Sequence, residues 1–350
     1  MMFSKLEIYC FRGIREAVIC DLGQLNLFWG KNNCGKSSLL DAMFLVSGMS
    51  NPMLPLTINQ IRQYGNVSPD GLKVNFYGFD AQTPIRIVAT DGERRELTIE
   101  AEEIGSVEVD TSGSGDGGSL SSAVPTSYGL RLSYSLNGGK FESSLLFDPA
   151  KGIEQAKQSF DNAYEERLKC IYLPPKYDFW ASVQGLANIL QNKDEQFIID
   201  GLRLIEPNVK DFVFTGGEML VDVGASKRLP VNVMGDGARK IVSLLTTIYD
   251  CANGILLVDE LSNGFHYSVM PDLWKVVAYA ARKNNTQVFA TTHDIDSMKG
   301  LRTMALNEPE GKGLAVSAYK LQRSADGVLT PYHYSVEGMD YAFEQEMEIR

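Results

Sequence analysis

A glycine-rich loop between a predicted buried strand and a predicted helix is the feature that most constrains this sequence. The apolar run Leu25 to Trp29 is typical of a buried strand, and Ser38 to Val46 carries apolar residues at helical spacing. Glycine permits a tight turn and a close backbone approach, so such a loop aims several N–H groups at one bound phosphate chain. The loop follows the pattern G-x-x-x-x-G-K-S, and its residues are Gly30, Lys31, Asn32, Asn33, Cys34, Gly35, Lys36, Ser37 and Ser38.

The residues that follow the second glycine of this P-loop indicate its ligands. Lys36 is expected to face solvent and to reach the β- and γ-phosphates of ATP, where it assists catalysis. The hydroxyl of Ser37 is expected to bind Mg²⁺. A chance match in a glycine-rich loop is the alternative, but the strand before the loop and the helix after it disfavour that interpretation. The sequence therefore predicts a site for ATP with Mg²⁺.

Two acidic residues end a second predicted buried strand. The apolar run Ile255 to Val258 is followed at once by Asp259 and Glu260. Ligands of open α/β sheets bind beyond the carboxyl ends of the strands. We therefore expect Asp259 to hold Mg²⁺, directly or through water, and Glu260 to be the general base that deprotonates the attacking water. Taken alone, such a pair could equally be a solvated acidic end of a strand.

Two histidines follow apolar runs at the same predicted edge of the sheet. His293 comes after the predicted strand Gln287 to Ala290, and His266 comes after the Asp259 region. A histidine at this edge is able to hydrogen-bond to a γ-phosphate, so His293 is predicted to act in catalysis and His266 to contact nucleotide. A capping or packing role is the alternative for either residue.

A glycine-flanked turn opens the predicted helix Ala238 to Tyr249. Its residues Gly235, Asp236 and Gly237 lie where the free N–H groups and the positive end of the helix dipole favour an anion. The turn is a candidate contact for nucleotide, and a helix cap with no ligand is the alternative.

The composition narrows the class of protein. A net charge of −11 gives no support to DNA binding over the general surface. DNA contact through a local patch is the remaining alternative. The longest apolar runs are far too short to cross a bilayer, and the first ten residues do not form a secretion signal. The five scattered cysteines indicate reduced thiols of a cytoplasmic protein, and a pairing of Cys10 with Cys20 across a hairpin is the less favoured alternative.

Alternating strands and helices around the P-loop predict an α/β fold with a mostly parallel sheet. Residues 1–350 are expected to form one domain with three parts. The first, 1–150, carries the P-loop and an antiparallel β-rich insert with strands from Leu72 onward and a flexible loop at about 104–127. The second, 151–240, is a helical lobe that includes predicted helices over Gly152 to Leu168 and Phe179 to Ile205. The third, 241–350, holds the Asp259 and His293 strands and closes the sheet.

Three stretches resemble one known family. Leu6 to Ile14, with Phe11-Arg12-Gly13-Ile14, is similar to the first strand and turn of ABC-type ATPase heads of the RecF and overcoming-lysogenization-defect (OLD) group. Asp259 to His266 and Glu346 to Arg350 resemble the small OLD-like ATPases of bacteria. The resemblance covers the whole chain and implies an ABC-type P-loop ATPase head in which Arg12 contacts nucleotide.

By this resemblance, residues 235–240 stand at the family's signature loop, which completes the site of the opposite subunit. A homodimer that sandwiches two ATP molecules head to tail is implied, with His266 at the position of an aspartate in relatives. The turn departs from the family because Gly235 replaces a serine and Asp236 replaces a glycine. Asp236 is expected either to repel phosphate or to cap its own helix. Gln158 and Gln184 are both candidates for the glutamine of the family's Q-loop.

The expected function is an ATP-hydrolysing switch that controls a partner effector. OLD nucleases carry a nuclease domain after the head, and the residues after His293 leave room for only a few strands and a helix. The effector, a nuclease or toxin encoded nearby, would act in phage defence or the response to DNA damage. Three rivals are a RecF-like DNA-repair ATPase that binds DNA, the nucleotide-binding subunit of a membrane transporter, and a nucleotide-locked scaffold that hydrolyses slowly.

Overall fold

The structure is a computed structural model that describes residues 2–64, 69–110, 121–148, 155–175 and 179–345. Its strands are β1 (Lys5–Phe11), β2 (Ile14–Ile19), β3 (Leu25–Trp29), β4 (Ile85–Thr90), β5 (Arg94–Asp110), β6 (Ser121–Leu136), β7 (Gly139–Phe147), β8 (Lys157–Ser159), β9 (Cys170–Leu173), β10 (Asp211–Thr215), β11 (Glu218–Asp222), β12 (Leu229–Pro230), β13 (Ile255–Val258), β14 (Gln287–Thr292), β15 (Val316–Arg323) and β16 (Val328–Tyr334). Its helices are α1 (Lys36–Ser47), α2 (Leu54–Ile61), α3 (Pro69–Lys73), α4 (Phe179–Asn192), α5 (Glu195–Arg203), α6 (Asp236–Asp250), α7 (Met270–Asn284), α8 (Ile295–Asn307) and α9 (Val336–Glu344).

Most of the strands join one continuous sheet in the order β8-β7-β6-β5-β4-β1-β2-β16-β15-β3-β14-β13-β9. The end of the sheet that carries the P-loop, from β15 to β9, is parallel. From β2 through β1 to β8 every pairing is antiparallel. The predicted α/β fold is therefore confirmed, and the β-rich insert extends the main sheet. A smaller sheet, β10-β11-β12, lies in the region predicted as a helical lobe.

Two buried cores cover the two faces of the sheet. Successive residues of β3 and β13 point to opposite faces, because side chains alternate along a strand. Leu27 and Leu256 pack into the core beneath α6, α7 and α8. Phe28 and Leu257 pack into the core that contains α1 and the insert. Every residue of β3, β13 and β14 is buried, as expected of strands covered on both faces.

The predicted strand over Leu72 to Phe79 is wrong. Its first residues belong to the short helix α3, and a 3-10 turn covers Tyr77–Phe79. Leu72 and Phe76 are both buried, and the backbone between them makes turn-type bonds, from the Asn75 N–H to the Leu72 carbonyl oxygen at 3.2 Å and from the Phe76 N–H to the Lys73 carbonyl oxygen at 3.0 Å.

The predicted helix over Gly152 to Leu168 is also wrong in its described part. Lys157–Ser159 pairs with β7, and the following residues cross the insert without regular structure. Two tertiary contacts hold this segment, namely an ion pair of 2.6 Å between Glu166 and Arg95 and ring contacts of Tyr164 with Tyr134 and Phe141. These contacts outweigh a weak helical pattern.

Two further expectations are corrected in part, and one less favoured alternative is excluded. Residues 104–110 and 121–127 of the expected flexible loop are strand, since their backbone groups pair in β5 and β6, whereas 111–120 lie outside the described residues. The helix predicted over Phe179 to Ile205 divides into α4 and α5 where Lys193 takes a positive φ of 59°. Cys10 and Cys20 are both free thiols, so the disulfide alternative is wrong. Among the described residues, no helix is long and apolar enough to cross a membrane.

Candidate functional site

The P-loop connects β3 to α1 and has the backbone geometry of a phosphate cradle. Gly30 and Gly35 have φ values of 153° and 108°, and Asn33 has 62°, so three positions are in the left-handed region. A side chain at Gly30 would begin 2.6 Å from the carbonyl oxygen of Leu321, so only glycine fits there. Gly35 is the N-cap of α1 and brings no side-chain bond to the first turn. No capping side chain therefore occupies the N–H groups at the start of this helix, which leaves them available to an anion.

Lys36 is buried, contrary to the expectation that it faces solvent. Its Nζ donates to the carbonyl oxygens of Gly30 at 2.9 Å and Lys31 at 3.2 Å. The ammonium group is thus folded over the loop in which phosphates would lie. A buried cation beside free backbone donors fits the charge of a triphosphate.

Ser37 and Asp259, the two residues predicted to bind Mg²⁺, contact each other beside the loop. Ser37 Oγ donates to Asp259 Oδ1 at 3.2 Å, and Thr291 Oγ1 donates to the same oxygen at 2.7 Å. The carboxylate is almost completely buried, and it follows β13 directly. Because β3, β13 and β14 are parallel, their carboxyl ends bring these three residues to one edge. A hydroxyl and a carboxylate are ligands that Mg²⁺ prefers, so these residues fit this cation.

Arg62, which the sequence analysis missed, reaches the same carboxylate from the C-terminal end of α2. Its Nη1 donates to Asp259 Oδ2 at 2.5 Å, and its other nitrogens hold both oxygens of Asp41 at 2.7 and 3.1 Å. Its guanidinium also bonds to the hydroxyl of Tyr172, which in turn donates to Asp259 Oδ2 at 3.4 Å. Burial raises the pKa of the Tyr172 hydroxyl, so it stays a neutral donor. No local pattern around Arg62 signalled this role.

Arg12 lies behind the P-loop helix. It forms an ion pair with Asp41 and donates to Asn59 Oδ1 at 3.0 Å, while its buried Nε has no hydrogen-bond partner in the structure. Burial raises the pKa of the Asp41 carboxyl, and the charges of Arg12 and Arg62 oppose that rise. Arg12 thus contacts α1 one turn beyond Ser37, and its predicted contact with nucleotide stays a prediction.

Glu260 and His293 form a hydrogen-bonded pair beside the P-loop. Glu260 Oε2 and His293 Nδ1 are 2.7 Å apart. Glu260 has a φ of 57°, and its backbone N–H donates to Thr291 Oγ1 at 2.9 Å, which fixes this strained turn. The side chain of His293 is 62% exposed and that of Glu260 22%. The Glu260 carboxylate is therefore partly accessible and has one oriented partner, as a general base requires.

An open cavity of about 1310 Å³ lies against P-loop residues 30–34 and His293, whereas Lys36, Ser37, Asp259 and Glu260 do not line it. One wall is the P-loop, the second is the segment Ser262–Phe265 with His293, and the third is the end of β15. At its far end, the Arg323 guanidinium packs on Gly13 and the Tyr77 ring packs on Gly327. The cavity thus has room for a nucleoside as well as for phosphates.

The remaining predicted residues lie apart from this cavity. His266 is exposed, and its Nδ1 bonds to Ser268 Oγ at 2.9 Å. Gly235 is the N-cap of α6, so Asp236 is the first helical residue and not the cap. Gly235 is exposed, and a side chain there would meet nothing within 4 Å. Gln158 lies on β8 at the opposite edge of the sheet, which makes it unsuitable for the Q-loop role, and Gln184 lies in α4.

The His293→Ala protein is expected to hydrolyse nucleotide about fivefold more slowly, because one orienting hydrogen bond of Glu260 is worth roughly 1 kcal/mol. Phosphate release at saturating nucleotide is the measurement. His333→Ala is the matched control, since that ring contacts Ser317 and Tyr319 away from the site. An equal decrease in the rate of phosphate release in both variants would contradict the role of His293.

The comparisons with known proteins show the family of the chain. Residues 25–297, more than half of the chain, match the family described as "AAA domain, putative AbiEii toxin, Type IV TA system". A protein of Helicobacter pylori named ATP/GTP phosphatase is 24% identical, over 99% of each chain. An uncharacterized protein of Methanocaldococcus jannaschii is 50% identical over 44 residues, which are 13% of this chain and 20% of that protein.

The comparison with solved structures finds a similar fold in the head domain of an SMC protein. A crystal structure of an SMC head bound to the C-terminal winged-helix domain of ScpA has a TM-score of 0.51 and 11% identity, and the match covers 97% of this chain and all of that chain. The likeness concerns the fold, and the family match covers the P-loop, Asp259, Glu260 and His293. The chain therefore belongs to this family of AAA domains and is a P-loop ATPase.

Proposed function

We propose that this ATPase is a switch subunit whose nucleotide-bound heads pair head to tail and thereby control an effector protein. The observation that carries the proposal is the position of the turn Gly235–Gly237. The turn does not line the cavity of its own chain, and at Gly235 it is exposed with open space around it. The cavity is itself open to solvent, and the segment Ser262–Phe265 with His293 forms one of its walls. A second copy that places its turn over this opening would close the site.

The residues at the carboxyl edge of β3, β13 and β14 support hydrolysis by general-base catalysis. The P-loop N–H groups and Lys36 would bind the phosphates, and Ser37 with Asp259 would hold Mg²⁺. When bound, Mg²⁺ neutralises the charge that develops on the phosphate oxygens. Glu260 takes the proton of the attacking water at its carboxylate, and His293 keeps that carboxylate oriented at 2.7 Å.

The family description names a putative toxin of a type IV toxin–antitoxin system, which supports a place for this chain in such a system. A partner that carries the effector activity is part of the same proposal. A role in phage defence or in the response to DNA damage, and membership of the OLD-like group, belong to the same proposal. The relative named ATP/GTP phosphatase supports testing GTP beside ATP. The net charge of −11 favours a protein partner over duplex DNA.

The switch is tested by measuring whether ATP binding promotes self-association of the chain. With turnover blocked by Glu260→Gln, the protein is expected to gain mass on addition of ATP and Mg²⁺, because nucleotide that binds the dimer better shifts the equilibrium by mass action. Sedimentation with and without ATP measures this gain. Monomeric behaviour in both conditions, together with full hydrolysis by the wild type, would exclude paired heads.

Two substitutions at the turn refine this test. Gly237→Arg is expected to prevent association while ATP affinity of the single subunit is kept. A Cβ atom at Gly237 would meet only the Phe265 ring, at an ordinary contact distance of 3.7 Å, so a side chain can begin there without a clash. Asp236→Gly is expected to tighten association if the aspartate repels phosphate. Unchanged association with a small loss of stability would assign Asp236 to the helix start instead.

A further inference from the structure

Asp259 has no free acceptor position in the structure. Its Oδ1 accepts from Ser37 and Thr291, and its Oδ2 accepts from Arg62 and Tyr172. An ionised carboxylate offers about four lone-pair positions, so these four donors fill it. A metal ion, or a water bound to a metal ion, needs at least one of these positions. One of the present donors must therefore release Asp259 when the metal site is filled.

We infer that Arg62 is the resident counter-ion of Asp259 and that it releases this carboxylate when a divalent cation binds, which couples the metal site to helix α2. The inference rests on the metal site of the proposed function, but not on hydrolysis or on dimer formation. Arg62 is the positively charged member of the four donors, so the incoming cation repels it, whereas the hydroxyls of Ser37 and Thr291 are neutral.

Asp41 would keep the Arg62 guanidinium bound after its contact with Asp259 is lost. Arg62 Nη2 and Nε bind the two oxygens of Asp41 at 2.7 and 3.1 Å, and Nη2 also donates to the Ser37 carbonyl oxygen at 3.1 Å. The Asp41 side chain is completely buried and lies on α1, which the P-loop fixes. A paired, buried carboxylate does not readily give up its cation. Arg62 therefore pivots about Asp41, and only its Nη1 contact with Asp259 is exchanged.

Movement of the Arg62 guanidinium would be transmitted to the protein surface through helix α2. Arg62 is the C-cap residue of α2, and its backbone N–H donates to the Ile58 carbonyl oxygen at 3.1 Å. Two residues later, Tyr64 is 57% exposed. A change in the guanidinium position thus acts on the last turn of a short helix that ends at the surface. Arg62 is a positioning residue, and α2 would report whether the metal site is filled.

Binding of Mn²⁺ to the nucleotide-free protein tests the inference, with Arg62→Met as the variant. Removal of the competing cation is expected to tighten Mn²⁺ binding about tenfold, a typical size for coupling between two sites. The variant is also expected to melt several degrees lower without metal and to gain more from added Mn²⁺, since the metal replaces the lost charge. Calorimetry and thermal unfolding measure the two effects.

Arg95→Met is the matched control. Arg95 is likewise buried and paired with a carboxylate, Glu166 at 2.6 Å, but it contacts the C-terminal end of α1, away from Asp259. This variant is expected to lose stability without a change in Mn²⁺ affinity. Equal Mn²⁺ affinity in Arg62→Met and the wild type would overturn the inference, whether or not the protein hydrolyses ATP.

Hydrogen exchange on the wild type gives a test that does not depend on a folded variant. Addition of Mn²⁺ is expected to speed amide exchange in residues 54–64 and to leave α7 unchanged. Unaltered exchange in residues 54–64 at saturating Mn²⁺ would contradict the coupling to α2. A protein that shows these responses but no association with ATP would support the role of Arg62 and refute the paired heads.

Discussion

The Glu260→Gln protein is expected to bind ATP with wild-type affinity and to release phosphate about a hundred- to ten-thousand-fold more slowly, the usual effect of losing a general base. The amide keeps the shape of the carboxylate and still bonds to His293, but it does not take a proton at neutral pH. The positive φ of 57° at residue 260 is set by the bond from its N–H to Thr291, which the substitution leaves intact. The fold and the loop should therefore be preserved.

Phosphate release at saturating ATP, together with equilibrium binding of a fluorescent ATP analogue, checks this expectation. Glu16→Gln is the matched control, because Glu16 is exposed on β2, away from the cavity. Turnover within about threefold of the wild type would remove Glu260 from the role of general base. Lost binding would instead mean that residue 260 shapes the loop.

The Lys36→Ala protein is expected to lose nucleotide affinity by roughly a hundredfold or more, because charge-assisted bonds to two phosphates are worth about 1.5–3 kcal/mol each. Lys36 Nζ already lies over the loop, 2.9 Å from the Gly30 carbonyl oxygen. The substitution also removes its contacts with the loop carbonyls, so a modest loss of thermal stability should accompany the loss of binding.

A fluorescent ATP analogue measures the affinity, and circular dichroism shows whether the variant is folded. Lys73→Ala is the control, since its side chain is exposed at the end of α3. Undiminished affinity in a folded Lys36→Ala protein would show that nucleotide binds elsewhere.

The sequence alone determined those parts of the site that lie within a few residues of one another. The P-loop needs β3, two glycines, a lysine and a serine in one unbroken run, and the phosphate geometry follows from the backbone of that run. Asp259 and Glu260 directly follow an apolar strand, and His293 stands one residue beyond another, so the edge of a parallel sheet brings them together. Errors arose where the apolar pattern was weak, as at residues 152–168.

Only the tertiary structure decided what surrounds these residues. Arg62 is separated from Asp259 by 197 positions and from Tyr172 by 110, and no periodicity in the sequence connects them. A buried carboxylate demands a counter-ion, but the demand does not specify which arginine supplies it. That choice depends on where the end of α2 comes to rest against α1 and β13. Arg12 pairs with Asp41 for the same reason, since a buried carboxylate is stabilised by nearby positive charges and Asp41 binds both Arg12 and Arg62.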